Sequence, residues 1–165
     1  MIRPVKISDV SRIAEIHVFG WRCAYKGIVS DDFLFNKMLV SKQISYFSVA
    51  ILNNIEESYV FDDGIIKAFL TIGACRDEDK SKTFELWGIY VDPFMKRQGI
   101  GSKMVHYCER IAIQRRFDEV CLWVLEKNIN ARKFYEKLGY FPDGKRKFIE
   151  PLDVIELRYS NYIRR

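Results

Sequence analysis

The segment from residue 91 to residue 102, Val-Asp-Pro-Phe-Met-Lys-Arg-Gln-Gly-Ile-Gly-Ser, has the residue types and spacing of a phosphate-binding turn. The proline ends the apolar stretch before it because proline cannot donate a ladder hydrogen bond. Gly99 and Gly101 allow a tight turn, and helical spacing of apolar residues follows, so a helix N-terminus should present unpaired N–H groups there. Lys96 and Arg97 add positive charge. The segment therefore predicts a cradle for a pyrophosphate group.

Two common classes of phosphate-binding turn do not fit this segment. A P-loop requires a lysine and then serine or threonine directly after its last glycine, and the chain has no such run. A dinucleotide-binding turn requires glycine or alanine three residues after Gly101, where this chain has Met104. A lone Gly-x-Gly after a strand also fits an ordinary tight turn, so the assignment needs support from elsewhere in the chain.

A second segment, residues 124–140, predicts a short capped helix. Asn128 is a good N-cap, and Gly139 is a good terminator because glycine adopts the left-handed conformation readily. One face of this helix would carry Ala131, Phe134, Tyr135 and Leu138. Such a face is typical of a protein core, but Tyr135 differs from its neighbours because its hydroxyl needs a polar partner.

Together these segments resemble the two signature motifs of the GNAT superfamily of N-acetyltransferases. The first is similar to the acyl-CoA-binding turn, with Lys96 where the family usually has Arg or Gln. The second resembles Asn-x-x-Ala-x-x-Phe-Tyr-x-x-x-Gly-Phe/Tyr, read here from Asn128 to Tyr140. The resemblance implies acetyl-CoA as acyl-donor cosubstrate, and direct acetyl transfer to a primary amine of a small molecule or peptide without a covalent enzyme intermediate.

The resemblance also implies roles for individual residues. Tyr135 is the expected general acid for the leaving thiolate. Trp21 and Tyr25 belong to a segment, residues 17–33, that looks like a bacterial subgroup in which these positions line the acceptor side. The expected cofactor-binding residues are Ile89, Tyr90, Val91, Lys96, Arg97, Gln98, Gly99, Ile100, Gly101, Ser102, Asn128, Asn130, Ala131, Phe134 and Tyr135.

Transfer to an amine also requires a base. An alkylammonium with a pKa near 10.4 is only about 0.1% deprotonated at neutral pH, a handicap of roughly 4 kcal/mol. Glu85 is the one carboxylate inside the predicted strand 83–92, and in many relatives an acidic residue here activates the amine. A solvent-facing or salt-bridged Glu85 fits the pattern equally well.

Other titratable residues near the predicted cleft are weaker candidates for the base. A lone histidine on an apolar helix face, such as His17, is usually a packing residue. The remaining carboxylates that could reach the cleft are Asp31, Asp32, Glu150 and Glu156.

The developing oxyanion needs a backbone donor. Gly88 lies mid-strand beside the cofactor motif, and a glycine there is consistent with a β-bulge that frees an N–H group. In the family such a bulge receives the thioester carbonyl and splays the strand from its neighbour.

The pattern of elements predicts an α/β (α+β) fold with a mixed central sheet of about seven strands and about four helices, and the resemblance implies the GNAT fold, in which this sheet is splayed mid-sheet at the acyl-CoA site. The chain has 165 residues, which suits a single domain over residues 1–165. The expected strands are 2–7, 57–62, 65–76, 83–92, 120–126, 140–150 and 153–162. The expected helices are 8–25, 99–117 and 128–138, with a further helical region at 30–54 broken near residues 40–41.

Composition limits the other functions. The net charge of +5 suits an anionic ligand such as coenzyme A, and no motif supports nucleic-acid binding. Four widely spaced cysteines and two histidines offer neither a zinc site nor a disulfide framework, so no metal and a cytoplasmic location are expected. No apolar run is long enough to span a membrane. A homodimer is open to the chain, and the alternative functions are a non-catalytic acyl-CoA-binding module and, less favoured, a basic RNA-binding domain.

Overall fold

The computed structural model describes residues 1–163 and contains one seven-stranded mixed sheet. In chain order the strands are β1 (Ile2–Pro4), β2 (Glu57–Asp62), β3 (Ile66–Ala74), β4 (Phe84–Val91), β5 (Glu119–Leu125), β6 (Phe141–Ile149) and β7 (Val154–Tyr162). The helices are α1 (Val10–Tyr25), α2 (Val40–Leu52), α3 (Ile100–Gln114) and α4 (Ile129–Lys137). The spatial order of the strands is β1-β2-β3-β4-β5-β7-β6. The predicted mixed sheet with seven strands and four helices is confirmed.

The sheet opens in its middle. Neighbouring strands are antiparallel except for β4 and β5, which run parallel and pair only from Phe84↔Val120 to Leu86↔Leu122. Beyond that point β4 continues to pair with β3, and β5 continues to pair with β7. The two central strands therefore separate at their carboxyl ends, as the resemblance implies.

A β-bulge lies where the strands separate. Thr71 pairs with Gly88 while Ile72 pairs with Leu86, so Trp87 is the extra residue. A bulge changes which face successive side chains occupy. Strict alternation of side chains from Glu85 onwards therefore does not hold in β4.

Helices cover both faces of the sheet. Helices α3 and α4 pack against the central strands through buried residues such as Met104, Cys108 and Leu122. On the other face, α1 and α2 pack against β2 and β3, with Ile13 and Phe47 in the buried cluster. Each fully buried side chain of this size stabilises the fold by roughly 1.5–3 kcal/mol.

The ends of the elements lie within a few residues of the predictions, and two of the differences have clear physical reasons. Strand β1 ends at Pro4 instead of residue 7, because Asp9 accepts a hydrogen bond from the Lys6 backbone N–H at 2.8 Å and turns the chain into α1. The second helical region breaks at Leu39, which is extended, one residue before the expected break. A separate helical turn, Phe33–Lys37, precedes it.

No disulfide links any of the four cysteines, and none of the described helices is long and apolar enough to cross a membrane. Cys108 is buried in the core, and burial raises the pKa of its thiol.

His17 is a packing residue with an unusual pKa. Its ring contacts Trp21, Phe47, Phe69 and Tyr90, and Nδ1 lies 3.0 Å from Gln43 Oε1. Burial lowers the pKa of His17 to about 4, against a small opposing effect of Gln43. The imidazole is therefore neutral in the folded protein at neutral pH.

This neutral histidine predicts acid sensitivity. Between pH 6.5 and about 4 the unfolded chain binds a proton at His17 that the folded chain does not, so His17 lowers stability as pH falls through that window, by at most about 1.4 kcal/mol per pH unit. His17→Phe should flatten the dependence of melting temperature on pH between 7 and 5. Equal slopes for the variant and the parent protein would contradict the buried neutral histidine.

Candidate active site

A cavity of about 640 Å³ occupies the opening between β4 and β5. Both predicted cofactor motifs line it, as do Trp21 and Tyr25. Of the sequence-predicted site residues only Glu85 and Gln98 are not on its wall. The Gln98 side chain points to solvent, where Nε2 lies 3.8 Å from Met95 Sδ.

The glycine turn forms one end of the cavity. Arg97 and Gly99 adopt left-handed conformations, with φ of 64° and 72°, and α3 begins directly afterwards at Ile100. A non-glycine residue at positive φ is a strained position of the kind found at ligand-binding turns. Together with Lys96, this turn directs positive charge and a helix N-terminus at one end of the cleft.

Helix α4 forms the neighbouring wall. Asn128 Oδ1 accepts a hydrogen bond from Ala131 N at 3.2 Å, and Gly139 ends the helix with φ of 88°, as both predictions required. A methyl group at Gly101 would lie 3.1 Å from Phe134 Cζ, so the two motifs are in direct contact.

Tyr135 lies on the inner face of α4 and is 8% exposed. Burial raises the pKa of its hydroxyl, and Tyr90 and Cys108 add to the shift. Within residues 1–163 the hydroxyl has no protein hydrogen-bond partner, and it lines the cavity. A protonated hydroxyl without a partner in this position is able to donate a proton to a bound group.

Glu85 lies behind the cavity wall. It is 1% exposed, and Arg76 lies in front of it. The Arg76 backbone N–H and Nε donate to Glu85 Oε2 at 3.0 and 3.2 Å, and Nη2 donates to Oε1. Both carboxylate oxygens therefore already accept hydrogen bonds, and the catalytic role of Glu85 stays a prediction.

The other end of the cavity is aromatic. Trp21 Nε1 donates to the Tyr90 hydroxyl at 3.1 Å, and the Trp21 and Tyr25 rings meet edge-on with centroids 4.9 Å apart. Burial raises the pKa of Tyr90 to about 12 and raises that of Tyr25 well above its ordinary value, and the charge of Glu156 contributes to both shifts. Glu156 is thus close to both hydroxyls, and it is the one carboxylate among the described residues on the cavity wall.

Several wall residues have no local sequence signal. They come from separate segments of the chain, and only the folded sheet brings them together. Glu156 was named as a carboxylate that could reach the cleft; among those that sequence reasoning missed are Arg76, Trp123, Lys147 and Leu152.

Comparisons with known proteins agree with this geometry. The Acetyltransferase (GNAT) family profile matches residues 32–140, more than half of the chain. YuaI of Bacillus subtilis, named as an uncharacterized N-acetyltransferase, is 28% identical over 129 residues, which are 77% of this chain and 72% of YuaI. Rv2775 of Mycobacterium tuberculosis, which bears the name probable N-acetyltransferase, is 24% identical over 98% of this chain and 91% of its own length.

The fold is also found in solved structures. The PaiA N-acetyltransferase of Thermoplasma acidophilum, crystallised in complex with coenzyme A, superimposes with a TM-score of 0.74 at 20% identity, over 99% of this chain and 98% of PaiA. With the matched profile, the splayed sheet and the two motifs on one cleft, this chain belongs to the GNAT family of acetyltransferases.

Proposed function

We propose that the protein binds acetyl-CoA in the cleft between β4 and β5 and transfers the acetyl group directly to a primary amine of a small molecule or peptide. The observation that carries the proposal is the separation of β4 and β5 beyond Leu86 and Leu122, at the point where the two motifs converge. The coenzyme A complex of the PaiA relative supports the choice of cofactor. In this arrangement the pyrophosphate lies at the N-terminus of α3, because N–H groups and nearby cations meet there.

The exposed edge of β4 supplies the acyl-binding groups. From Gly88 to Val91 the strand has no partner in β5 within the described chain, so its backbone groups on that side are available to a pantetheine arm and a thioester carbonyl. A backbone N–H beside the bulge is suited to stabilising the developing oxyanion. Tyr135 donates its proton to the thiolate that leaves.

Two carboxylates compete for the amine proton. Glu85 follows from the family resemblance, but Arg76 separates it from the cavity. Glu156 is partly exposed on the cavity wall, near the hydroxyls of Tyr25 and Tyr90. We favour Glu156 because a general base must reach the proton that it removes.

The cytoplasmic location and a homodimer stay predictions. So does the absence of nucleic-acid partners.

Loss of charge at the glycine turn should weaken acetyl-CoA binding. The double variant Lys96→Gln/Arg97→Gln should bind acetyl-CoA about 10-fold or more weakly by calorimetry, and the difference should shrink at high salt because salt screens exposed charges. Lys42→Gln, an exposed lysine on α2, is the matched control and should bind as the parent does. Unchanged affinity in the double variant at low salt would contradict the assigned cradle.

Removal of the Tyr135 hydroxyl should slow the reaction and spare binding. Tyr135→Phe keeps the ring that packs beside Phe134, so acetyl-CoA affinity and melting temperature should persist while kcat falls roughly 10- to 1000-fold. Release of free CoA thiol across a panel of amines measures turnover. Full activity in Tyr135→Phe would make the residue a packing aromatic, and binding without turnover of any amine by the parent protein would identify a non-catalytic acyl-CoA module.

The pH–rate profiles of two variants distinguish Glu156 from Glu85 as the general base. Glu156→Gln should reduce kcat/KM most at low pH and progressively less towards the pKa of the amine, since free amine in solution then replaces the missing base. Glu85→Gln should lower the melting temperature and reduce the rate by a factor that does not vary with pH. The reverse pattern would identify Glu85 as the general base.

A further inference from the structure

The cavity brings indole rings and charged side chains together. All three tryptophans of the chain, Trp21, Trp87 and Trp123, lie on its wall. The Arg76 guanidinium carbon lies 4.7 Å from the centroid of the Trp87 ring, and Lys147 Nζ lies 4.0 Å from the centroid of the Trp123 ring. Each cation therefore lies over the face of an indole ring, and this cation–π contact limits the positions that the side chain can adopt.

Arg76 is also held along one edge. Its Nε and Nη2 atoms donate to the two oxygens of Glu85, which is buried below it and also binds the Arg76 backbone N–H. Trp87 itself is fixed, because its Nε1 donates to the Ala74 carbonyl oxygen at 3.3 Å. The position of the guanidinium is thus set before any acceptor arrives.

The second edge of Arg76 is open. A guanidinium carries five N–H groups and can bind one carboxylate on the Nε–Nη2 edge and another on the Nη1–Nη2 edge. Among residues 1–163 nothing accepts a hydrogen bond from Nη1, and the Arg76 side chain is 56% exposed on the cavity wall. A preorganised cation with a free bidentate edge is a receptor for a carboxylate, phosphonate or phosphate group.

Opposite charge is available on the wall of the same cavity. Glu156 Oε2 lies 3.2 Å from Lys147 Nζ, and the pair is 23% and 40% exposed respectively. An acceptor amine that takes the place of Lys147 at Glu156 releases this lysine as a second cation for the anionic group. A diamine would find one carboxylate and two cations here, which disfavours it electrostatically.

We propose that the acceptor carries an anionic group in addition to its amine, and that Arg76 binds this anion while Glu156 receives the amine. Arg76 is then the residue that determines acceptor specificity, with Glu85 as the residue that positions it. The inference rests on the proposed amine acetylation and names the acceptor class of that same site: amino acids and their phosphonate analogues, or peptides with a free carboxylate.

An amine panel of matched compounds tests the acceptor class. Each amino acid, with one to five methylenes between amine and carboxylate or with an aromatic side chain, is compared with its amide and with its decarboxylated amine. Dipeptides with free and amidated C-termini distinguish a peptide source from a free amino acid. The amide has the lower amine pKa and would react faster without anion recognition, so a preference for the acid in kcat/KM supports the inference.

Variants at Arg76 test whether this residue binds the anionic group of the acceptor. Arg76→Gln should raise KM for the preferred acid about 10- to 100-fold and lower the ratio of kcat/KM for the acid to kcat/KM for its decarboxylated partner by a similar factor, because only the acid carries the anion that Arg76 binds. Arg76→Lys keeps a cation for Glu85, so the fold should persist, and it should shift KM for the acid in the same direction because the forked geometry is lost. Arg110→Gln, an exposed arginine stacked on Tyr107 of α3, is the matched control and should behave as the parent does.

The outcomes separate this inference from the function that it rests on. Acetylation of amines without preference for the acids, or with equal losses for acid and decarboxylated amine in Arg76→Lys, would overturn the acceptor class and leave amine acetylation intact. Acetyl-CoA binding with no turnover of any compound would overturn both.

Discussion

The structure depends on a strand that is paired along its length on one side and only at its start on the other. Strand β4 keeps its ladder with β3 up to Ala68↔Val91, while its partnership with β5 stops at Leu86. Unpaired backbone groups are costly when buried, so such an edge has to face a cavity or a ligand. The strand does not collapse onto β5 because its end is held: Asp92 N donates to the Lys67 carbonyl oxygen at 2.8 Å, and the Asp92 side chain binds Arg12 of α1. The pairing of the strands therefore determines the position of the cleft.

A network of ion pairs lies behind the side chains that line the cleft. Behind the aromatic wall, Arg158 is 4% exposed and binds Asp77, Asp79 and Asp143, which joins the segment after β3 to β6 and β7. Asp77 also accepts from Trp123 Nε1 at 3.0 Å, so the indole on the cavity wall is held by the network behind it. Buried ion pairs contribute little net stability, because desolvation offsets their attraction. Their effect here is to fix the orientation of the Trp123 side chain on the cavity wall.

Much of the fold and half of the site could be predicted from sequence, for identifiable reasons. The cofactor side is encoded by contiguous segments, in which Gly99, Asn128 and Gly139 each set a local backbone conformation that short-range chemistry reveals. The acceptor side is assembled from residues such as Arg76 and Lys147, whose neighbours in space are distant in sequence. Glu85 shows the limit of prediction from sequence. Its place in β4 was correct, but its partner, Arg76, lies nine residues earlier, in the connection between β3 and β4. No periodicity marks such a pair, and the bulge at Trp87 removes the alternation that would have assigned its face.

The contact between Gly101 and Phe134 has a consequence for the engineering of this chain. With only 3.1 Å between a methyl group at residue 101 and Phe134 Cζ, the start of α3 and the middle of α4 share one packing volume. A larger residue on one helix requires a smaller residue on the other, since cores of this density do not absorb added methylenes. The two motifs are therefore one transplantable unit: a chimera that takes the glycine turn from a relative has to take the matching helix with it, even though a strand and some thirty residues separate the two in the chain.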